Sequence, residues 1–372
     1  MINDKFLKVL VVDDTVVFRK TVSDILTELP DVKVVGTANN GKIAVARIAS
    51  LNPHLLILDI EMPEMNGLDV LAHLNTHFPD VGAIVLSTLT RKGGEVTIKA
   101  LELGAFDFVP KPQHGTLEEN KKVIKAALTP MLKAFNRRRE IKSILKGKAT
   151  PPSQTKTVEN PSLDSTGMVQ RMKTVAGQAR GKSEIVGIGI STGGPNALAR
   201  MLPRLPSKLG VPILIVQHMP PVFTQSLAGS LNTKSGIEVR EAADGQKVLP
   251  NVALIAPGGK HMKIVAGADG KTRIVRITDD PPENNCKPSV DYLFRSIAQH
   301  YVGRSTGVIM TGMGSDGTEG LKLMKRNGAR IIAQDEATSV VFGMPKEPIE
   351  AGIVDVIAPL NRIADEISRT VK

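Results

Sequence analysis

The sequence predicts an α/β protein built as two doubly wound parallel-sheet domains joined by a basic, flexible linker. Short apolar runs rich in Val and Ile alternate with helix-length amphipathic segments, first from Leu7 to about Leu132 and again from Glu184 onward. Strands of that near-continuous apolar kind have both faces covered, as in a parallel sheet packed between helices. A length of 372 residues suits two cores better than one. Between Lys133 and Lys182 the alternation stops, and twelve Lys or Arg stand against three Asp or Glu. Pro151, Pro152 and Pro161 fall in the same stretch, which favours a solvated tether over a helix. The expected boundaries are a first domain over 5–125, a helical extension and flexible basic linker over 126–182, and a second domain over 183–370. Mobile structure is expected across much of 147–180.

Composition narrows the function. Hydrophobic residues make up 41% and charged residues 23%, the proportions of an ordinary soluble protein. The apolar runs are strand-sized, so no membrane insertion is expected. The N-terminus lacks the basic, apolar and cleavage regions of a secretory signal. A single cysteine, Cys286, excludes an internal disulfide and a cysteine-based zinc site. These features point to the cytoplasm. The net charge of +11 resides largely in the linker. No helix-turn-helix or zinc-finger pattern accompanies it, and Trp is absent. No nucleic-acid partner is expected.

In the first domain, strands are expected at 8–12, 33–37, 55–58, 83–86 and 107–109, with helices such as 17–29 and 42–51 between them. Functional residues of such a sheet collect at the carboxyl ends of its strands. Asp13 and Asp14 end the first strand, Asp59 the third and Ser87 the fourth, and Lys111 follows the fifth. Three carboxylates at one edge repel each other unless a cation sits among them, and oxygen ligands of this kind suit Mg²⁺. Lys111 could pair with a phosphoryl oxygen, and Asp59 is the candidate phosphoryl acceptor, since an aspartyl carboxylate can act as a nucleophile. Any one such acid is most simply a helix N-cap. Several strand ends with matched chemistry are not explained that way.

The motifs Val11-Val12-Asp13-Asp14-Thr15, Asp59-Ile60-Glu61-Met62-Pro63, Leu86-Ser87 and Lys111-Pro112 resemble those of response-regulator receiver domains, which have a flavodoxin-like fold. The resemblance covers about residues 5–125. It implies that a sensor histidine kinase phosphorylates Asp59. It also implies Mg²⁺ bound by Asp14, Asp59 and the backbone carbonyl of Glu61, with Asp13 assisting. Ser87 is implied to change rotamer on phosphorylation, and the Lys111–Pro112 peptide to be cis.

A helix is expected at 121–145. In the second domain, the strand at 185–190 runs into Ser191-Thr192-Gly193-Gly194, and Gly189-x-Ser191-x-Gly193 matches nucleophile-elbow spacing. Alone, this pattern also fits a plain strand-to-helix turn. The strand at 211–216 ends at Gln217-His218. The strand at 307–310 ends in a glycine-rich loop that carries Asp316. His218 is the best-placed base, because His261 follows a glycine turn and His300 lies in a polar helical stretch. Imidazole suits the role because its ordinary pKa is near neutral. Asp244, Asp269, Asp279 and Asp280 sit in polar turns, and capping explains Asp291, which leaves Asp316 to orient the imidazole.

Together with Gln217-His218-Met219-Pro220, Ala256-Pro257-Gly258, Pro288-Ser289-Val290-Asp291, Met310-Thr311-Gly312-Met313-Gly314-Ser315-Asp316-Gly317 and Phe342-Gly343-Met344-Pro345, the serine motif is similar to the catalytic domain of chemotaxis protein-glutamate methylesterases. The match spans roughly 184–370, and with a receiver ahead of it reproduces the family architecture. It implies a Rossmann-like domain with Ser191 as nucleophile, His218 as base and Asp316 as orienting acid. The Met313 amide is then the oxyanion donor, and Thr192 lines the site. The implied substrate is a glutamate γ-methyl ester on the cytoplasmic helices of methyl-accepting chemoreceptors, with deamidation of glutamine as a second activity. The implied phosphodonor is a chemotaxis histidine kinase, and hydrolysis needs no cofactor. The chain departs from the family pattern at Ile190 and Pro195 beside the serine and at Cys286. Cys286 as an alternative nucleophile lacks a nearby strand-end base in the sequence. A receiver-linked binding module without activity and a DNA-binding regulator are the rival readings.

Overall fold

The computed structural model describes residues 6–147 and 181–372. The expectation of a mobile tether falls almost wholly outside them. The first domain runs β1 (Leu7–Val12), α1 (Val16–Thr27), β2 (Val32–Ala38), α2 (Gly41–Leu51), β3 (Leu55–Asp59), α3 (Gly67–His77), β4 (Gly82–Ser87), α4 (Arg91–Glu102), β5 (Asp107–Pro110) and α5 (Leu117–Gly147). Its five strands are parallel in the order β2-β1-β3-β4-β5. The central strand β3 is buried along its whole length, as its unbroken apolar run requires. Local sequence sets the helix starts. Asn66 accepts the amides of Leu68 (2.8 Å) and Asp69 (3.1 Å), and the Asp69 carboxylate in turn accepts the Asn66 amide at 3.2 Å. That capping box opens α3 directly after the Asp59 loop. The strand order reverses between β1 and β3, and this opens a crevice between Asp13 and Asp59.

The second domain runs β6 (Ile185–Ile190), α6 (Gly194–Met201), β7 (Ile213–Gln217), α7 (Phe223–Lys234), β8 (Glu238–Glu241), β9 (Val252–Ile255), β10 (His261–Ala266), β11 (Arg273–Thr278), α8 (Val290–His300), β12 (Ser305–Ile309), α9 (Thr318–Arg326), β13 (Arg330–Gln334), α10 (Lys346–Glu350), β14 (Val356–Ala358) and α11 (Leu360–Val371). Seven parallel strands take the order β14-β13-β12-β6-β7-β9-β8. The chain fills one side from β6 through β7, then crosses to the other at β12. The switch point therefore lies at the carboxyl end of β6, with β7 and β12 flanking it. The antiparallel pair β10–β11 and the edge strands β8 and β14 add to the strands expected from the sequence.

The two domains pack directly on each other. α4 lies against α6 and α7, and one apolar cluster runs through both domains, taking in Ile98, Leu101 and Phe108 on one side and Phe223 and Leu227 on the other. The rings of Phe108 and Phe223 are 4.5 Å apart. At the rim, Glu102 pairs with the Lys234 ammonium and accepts the Ser230 hydroxyl. Gly94 of α4 packs closely on α7, since a Cβ there would lie 2.8 Å from Ser226 Oγ and displace that hydroxyl.

Candidate active site

The switch point gathers the second domain's candidate residues. The Ser191 amide donates to Thr311 O (3.0 Å) and the His218 amide to Ile190 O (3.1 Å), so the ends of β6, β7 and β12 are tied together. Gly193, at φ 77°, takes the left-handed turn into α6, while Ser191 itself keeps negative φ. The strained nucleophile of an α/β-hydrolase elbow is therefore absent here. Gly312 presses against the serine. A Cβ at that position would lie 2.8 Å from Ser191 Cβ and 2.3 Å from Met344 Sδ. Thr311, fully buried, donates its hydroxyl to Thr192 O (3.0 Å) and accepts the amides of Val340 and Val341.

Asp316 and His218 are joined. His218 Nε2 lies 2.8 Å from Asp316 Oδ2. The carboxylate also accepts the Ser289 hydroxyl (2.9 Å), the Asn284 amide group (2.9 Å) and the backbone amides of Val290 (2.7 Å) and Asp291 (3.2 Å). The latter two open α8, and a helix N-terminus favours an anion. Burial works to raise the Asp316 pKa, but His218 and these donors overcome it and hold the acid well below its usual range. Burial likewise opposes protonation of His218, yet Asp316 and Cys286 outweigh it and raise the imidazole to about 9.

Cys286 is nearer than the sequence suggested. Its Sγ lies 3.7 Å from His218 Nδ1, on the ring edge opposite Asp316. A base does stand beside it, contrary to the expectation drawn from chain position. Among the described residues no hydrogen bond joins Ser191 Oγ to His218. The nitrogen free of Asp316 faces the thiol. The Met313 amide, beside Gly312, has no backbone acceptor among the described residues.

The other candidates separate cleanly. His261 is buried, with Nε2 3.0 Å from Pro281 O, Nδ1 accepting the Ser289 amide at 3.2 Å, and its ring stacked on Tyr292, so it supports the Asp316 cradle. Asp279 pairs with Lys260 and Lys287. Asp291 does more than cap α8, because its carboxylate is buried and accepts the Gly320 amide at 2.6 Å, which locks α8 to α9. Ile190 is a core residue, whereas Pro195 lines the site. Asn284, Ser289 and Thr311 were missed as functional supports. Pro288-Ser289-Val290-Asp291 carried the signal for Ser289, and nothing local marks Asn284.

In the first domain Lys111 Nζ bridges Asp13 (2.9 Å) and Asp59 (2.8 Å), and its ammonium lies 4.9 Å from the Phe18 ring centroid. The Lys111–Pro112 peptide is trans, which corrects the expected cis bond. The cis peptide among the described residues is Lys287–Pro288. Asp13, Asp14 and Asp59 bring one oxygen each within 4.8 Å of one another. Burial raises the Asp59 pKa to about 6, with Asp13 adding to it and Lys111 opposing it. Three carboxylates held this close, with Asp13 and Asp59 buried and Asp14 exposed, fit a hard divalent cation. The Ser87 hydroxyl donates toward Gly93 O (3.3 Å) and accepts the Thr97 hydroxyl, both on α4.

α4 and β5 lead to the other site. A cavity of about 160 Å³ is lined by Asp107, Phe108, Pro110, Ala127 and Met131 from the first domain and by Ser191, Thr192, Pro195 and His218 from the second. The first domain thus roofs the serine.

The sequence profile of the CheB methylesterase family matches residues 186–367, and that of the response regulator receiver domain matches 9–121. The chain is 54% identical over 370 residues to the protein-glutamate methylesterase/protein-glutamine glutaminase of Desulfotalea psychrophila, covering 99% of both chains. It is 41% identical over 367 residues to the protein of that name from Bacillus subtilis, covering 98% of this chain and 99% of that one. Among solved structures, the Thermotoga maritima CheB methylesterase catalytic domain shares 41% identity and a TM-score of 0.49, covering 50% of this chain and 98% of that chain.

Proposed function

Since the chain belongs to the receiver-linked protein-glutamate methylesterase/glutaminase family, we propose that its Ser191, His218 and Asp316 hydrolyse glutamate γ-methyl esters on the cytoplasmic helices of methyl-accepting chemoreceptors, in sensory adaptation. The observation that carries this reading is the convergence of three strand ends at one switch point, with the imidazole fixed by a buried, five-fold hydrogen-bonded carboxylate. Because Asp316 holds Nε2, the working base is Nδ1 of the neutral imidazole, the form that grows as pH rises toward about 9. It takes the proton of Ser191 Oγ as that oxygen attacks the ester carbonyl, and the Met313 amide is suited to the developing oxyanion. Nδ1–H then passes its proton to the departing methoxide, and methanol leaves an acyl-serine. Water attacks the acyl carbon, gives its proton to Nδ1, and the serine oxygen leaves as hydroxyl, releasing glutamate. With a glutamine side chain the same steps release ammonia.

The first domain supplies the control. Asp59 is the phosphoryl acceptor and a chemotaxis histidine kinase the donor. Mg²⁺ would be held by Asp14, Asp59 and the Glu61 carbonyl, with Asp13 assisting, and would neutralise charge during the transfer. Lys111 is placed to take a phosphoryl oxygen in exchange for the carboxylates it now bridges. Ser87 sits between Asp59 and α4, so a change in its bonding to Gly93 and Thr97 reaches the interface with α7. Loosening that interface opens the roofed cavity. Among the described residues no helix is long and apolar enough to cross a membrane, in keeping with an enzyme that meets its receptors from the cytoplasm.

The test is methanol release from methylated receptor. Ser191→Ala should abolish it, and His218→Ala should lower it by roughly 10²–10⁴-fold, the usual worth of a positioned base. Undiminished release from Ser191→Ala refutes the serine assignment. Absence of release from wild type, with no labelling by a serine-directed phosphonate, leaves only the inert binding-module reading.

A further inference from the structure

The thiol beside His218 is presented by a rigid turn. Glu283 and Cys286 exchange backbone hydrogen bonds of 2.8 and 3.1 Å, and the two residues between them, Asn284 and Asn285, have φ of 54° and 59°. Two consecutive positive φ values make this the tight turn that asparagine tolerates best. Arg295 clamps Glu283 through both carboxylate oxygens, and Asn284 is fastened to Asp291 and Asp316 at 2.9 Å each. Cys286 itself is half-buried.

The result is a thiol, an imidazole and a carboxylate, each with a ligand atom within 4.8 Å of the others. From this geometry we propose that Cys286 Sγ and His218 Nδ1 form a binding site for a thiophilic divalent cation of the Zn²⁺ class, and that the bound ion silences the esterase. A tetrahedral ion about 2.3 Å from sulfur and about 2.0–2.1 Å from nitrogen sets those atoms roughly 3.6 Å apart. They already stand 3.7 Å apart. Asp316, bonded to Nε2, is saturated by its other donors and acts from behind the ring. It fixes the tautomer that leaves Nδ1 as the ligand and makes that nitrogen more basic. Two buried carboxylates, Asp316 and Asp291, favour a cation here, while the neighbouring Lys287 ammonium is turned away to Asp279 at 2.6 Å. Water completes the coordination sphere. Binding displaces the thiol proton, and the Nδ1 proton wherever the imidazole is charged, and leaves thiolate and neutral imidazole on the metal. The nitrogen that must accept the serine proton is then occupied. That inhibitory half rests on the role proposed for His218, whereas the binding half does not.

The chain's single cysteine makes the test specific. The full-length protein is saturated with Mg²⁺ to occupy the all-oxygen receiver cluster, then titrated with Co²⁺ while the near-ultraviolet thiolate-to-cobalt charge-transfer band is followed. One equivalent should produce the band, and Zn²⁺ should displace it. Cys286→Ser, and wild type alkylated with iodoacetamide, should both lack the band. Asp316→Asn should weaken the metal by about 10–100-fold, as loss of a ligand's supporting bond does. In the methanol assay, Zn²⁺ should inhibit wild type reversibly by EDTA, and Cys286→Ser should need at least about 10-fold more Zn²⁺ for half-inhibition. Absence of the band in folded wild type, or its persistence unchanged in His218→Asn, overturns the site. A normal band with no inhibition overturns the inhibitory role alone. A normal band in a protein that never releases methanol instead faults the proposed function.

Discussion

Asp59 shows how one residue's function costs the fold stability. Its pKa is raised to about 6 because burial and Asp13 disfavour the charge more than Lys111 favours it. The folded state therefore binds more protons than the unfolded state between about pH 4 and 6, and this residue's contribution to stability falls as pH rises through that window. At neutral pH the ionised carboxylate costs on the order of 1–3 kcal/mol, from a shift of that size. A cation among the three aspartates offsets the cost. Calorimetry of the full chain should show the receiver transition rising with Mg²⁺, more at pH 7.5 than at pH 5. Without divalent cation, Asp59→Asn should raise that transition at pH 7.5. A Mg²⁺ effect equal at both pH values contradicts this account. His218 and Asp316 instead favour the fold when charged, since each gains from its partner. Raising His218 to about 9 stabilises the fold fully below about pH 6.5 and is lost as pH rises through about 9.

At the scale of elements, much of the site was legible because it sits where strands end. The apolar runs before Asp13, Asp59, Ser191, His218 and Asp316 announce their own termini, and a parallel sheet aligns those termini at one edge. Asn284 and Cys286 were not legible in that way. A turn between β11 and α8 carries Asn284 to Asp316 and Cys286 to His218, and no periodicity in the sequence gives that turn its direction. The hairpin β10–β11 and the edge strands β8 and β14 are partly polar and incompletely buried, so they lack the unbroken apolar signature of β6 or β7. The pairing of α4 with α7 was equally hidden, because its polar members read as solvated surface. Glu102 is one of these. Burial works to raise its pKa, but Lys234 and Ser230 prevail and hold it below the usual value. Glu102→Lys places two ammonium groups at this rim and should raise the basal methanol release of unphosphorylated protein several-fold, corresponding to about 1 kcal/mol for a half-exposed pair. Lys234→Glu in the same chain should restore the low basal rate, because the pair is rebuilt with reversed sign. Failure of the second change to reverse the first excludes this ion pair as a docking contact.

Across the whole molecule, the first domain covers the candidate serine site, and on the proposed function basal activity is set by how firmly the receiver stays docked. Two contributions to docking have opposite electrostatic sense. Glu102 favours the docked state when ionised, whereas Asp107, beside Thr192 in the roofed cavity, is raised to about 6 by burial, so docking disfavours its charge. Asp107 should therefore strengthen docking as it becomes protonated, between its usual carboxylate range and about pH 6. Asp107→Asn removes the charge without altering shape, so it should lower basal methanol release at pH 7.5 and make that release less dependent on pH between 5 and 7. Removing residues 1–147 should raise basal release, because it takes away both the roof and its rim. The two changes move the same quantity in opposite directions, which separates occlusion from simple damage. Damage to the catalytic domain lowers activity in both. If truncation leaves methanol release unchanged or lower while the fragment still reacts with a serine-directed phosphonate, the roof does not limit the enzyme. The coupling from Asp59 through Ser87 and α4 must then act on the chemistry rather than on access.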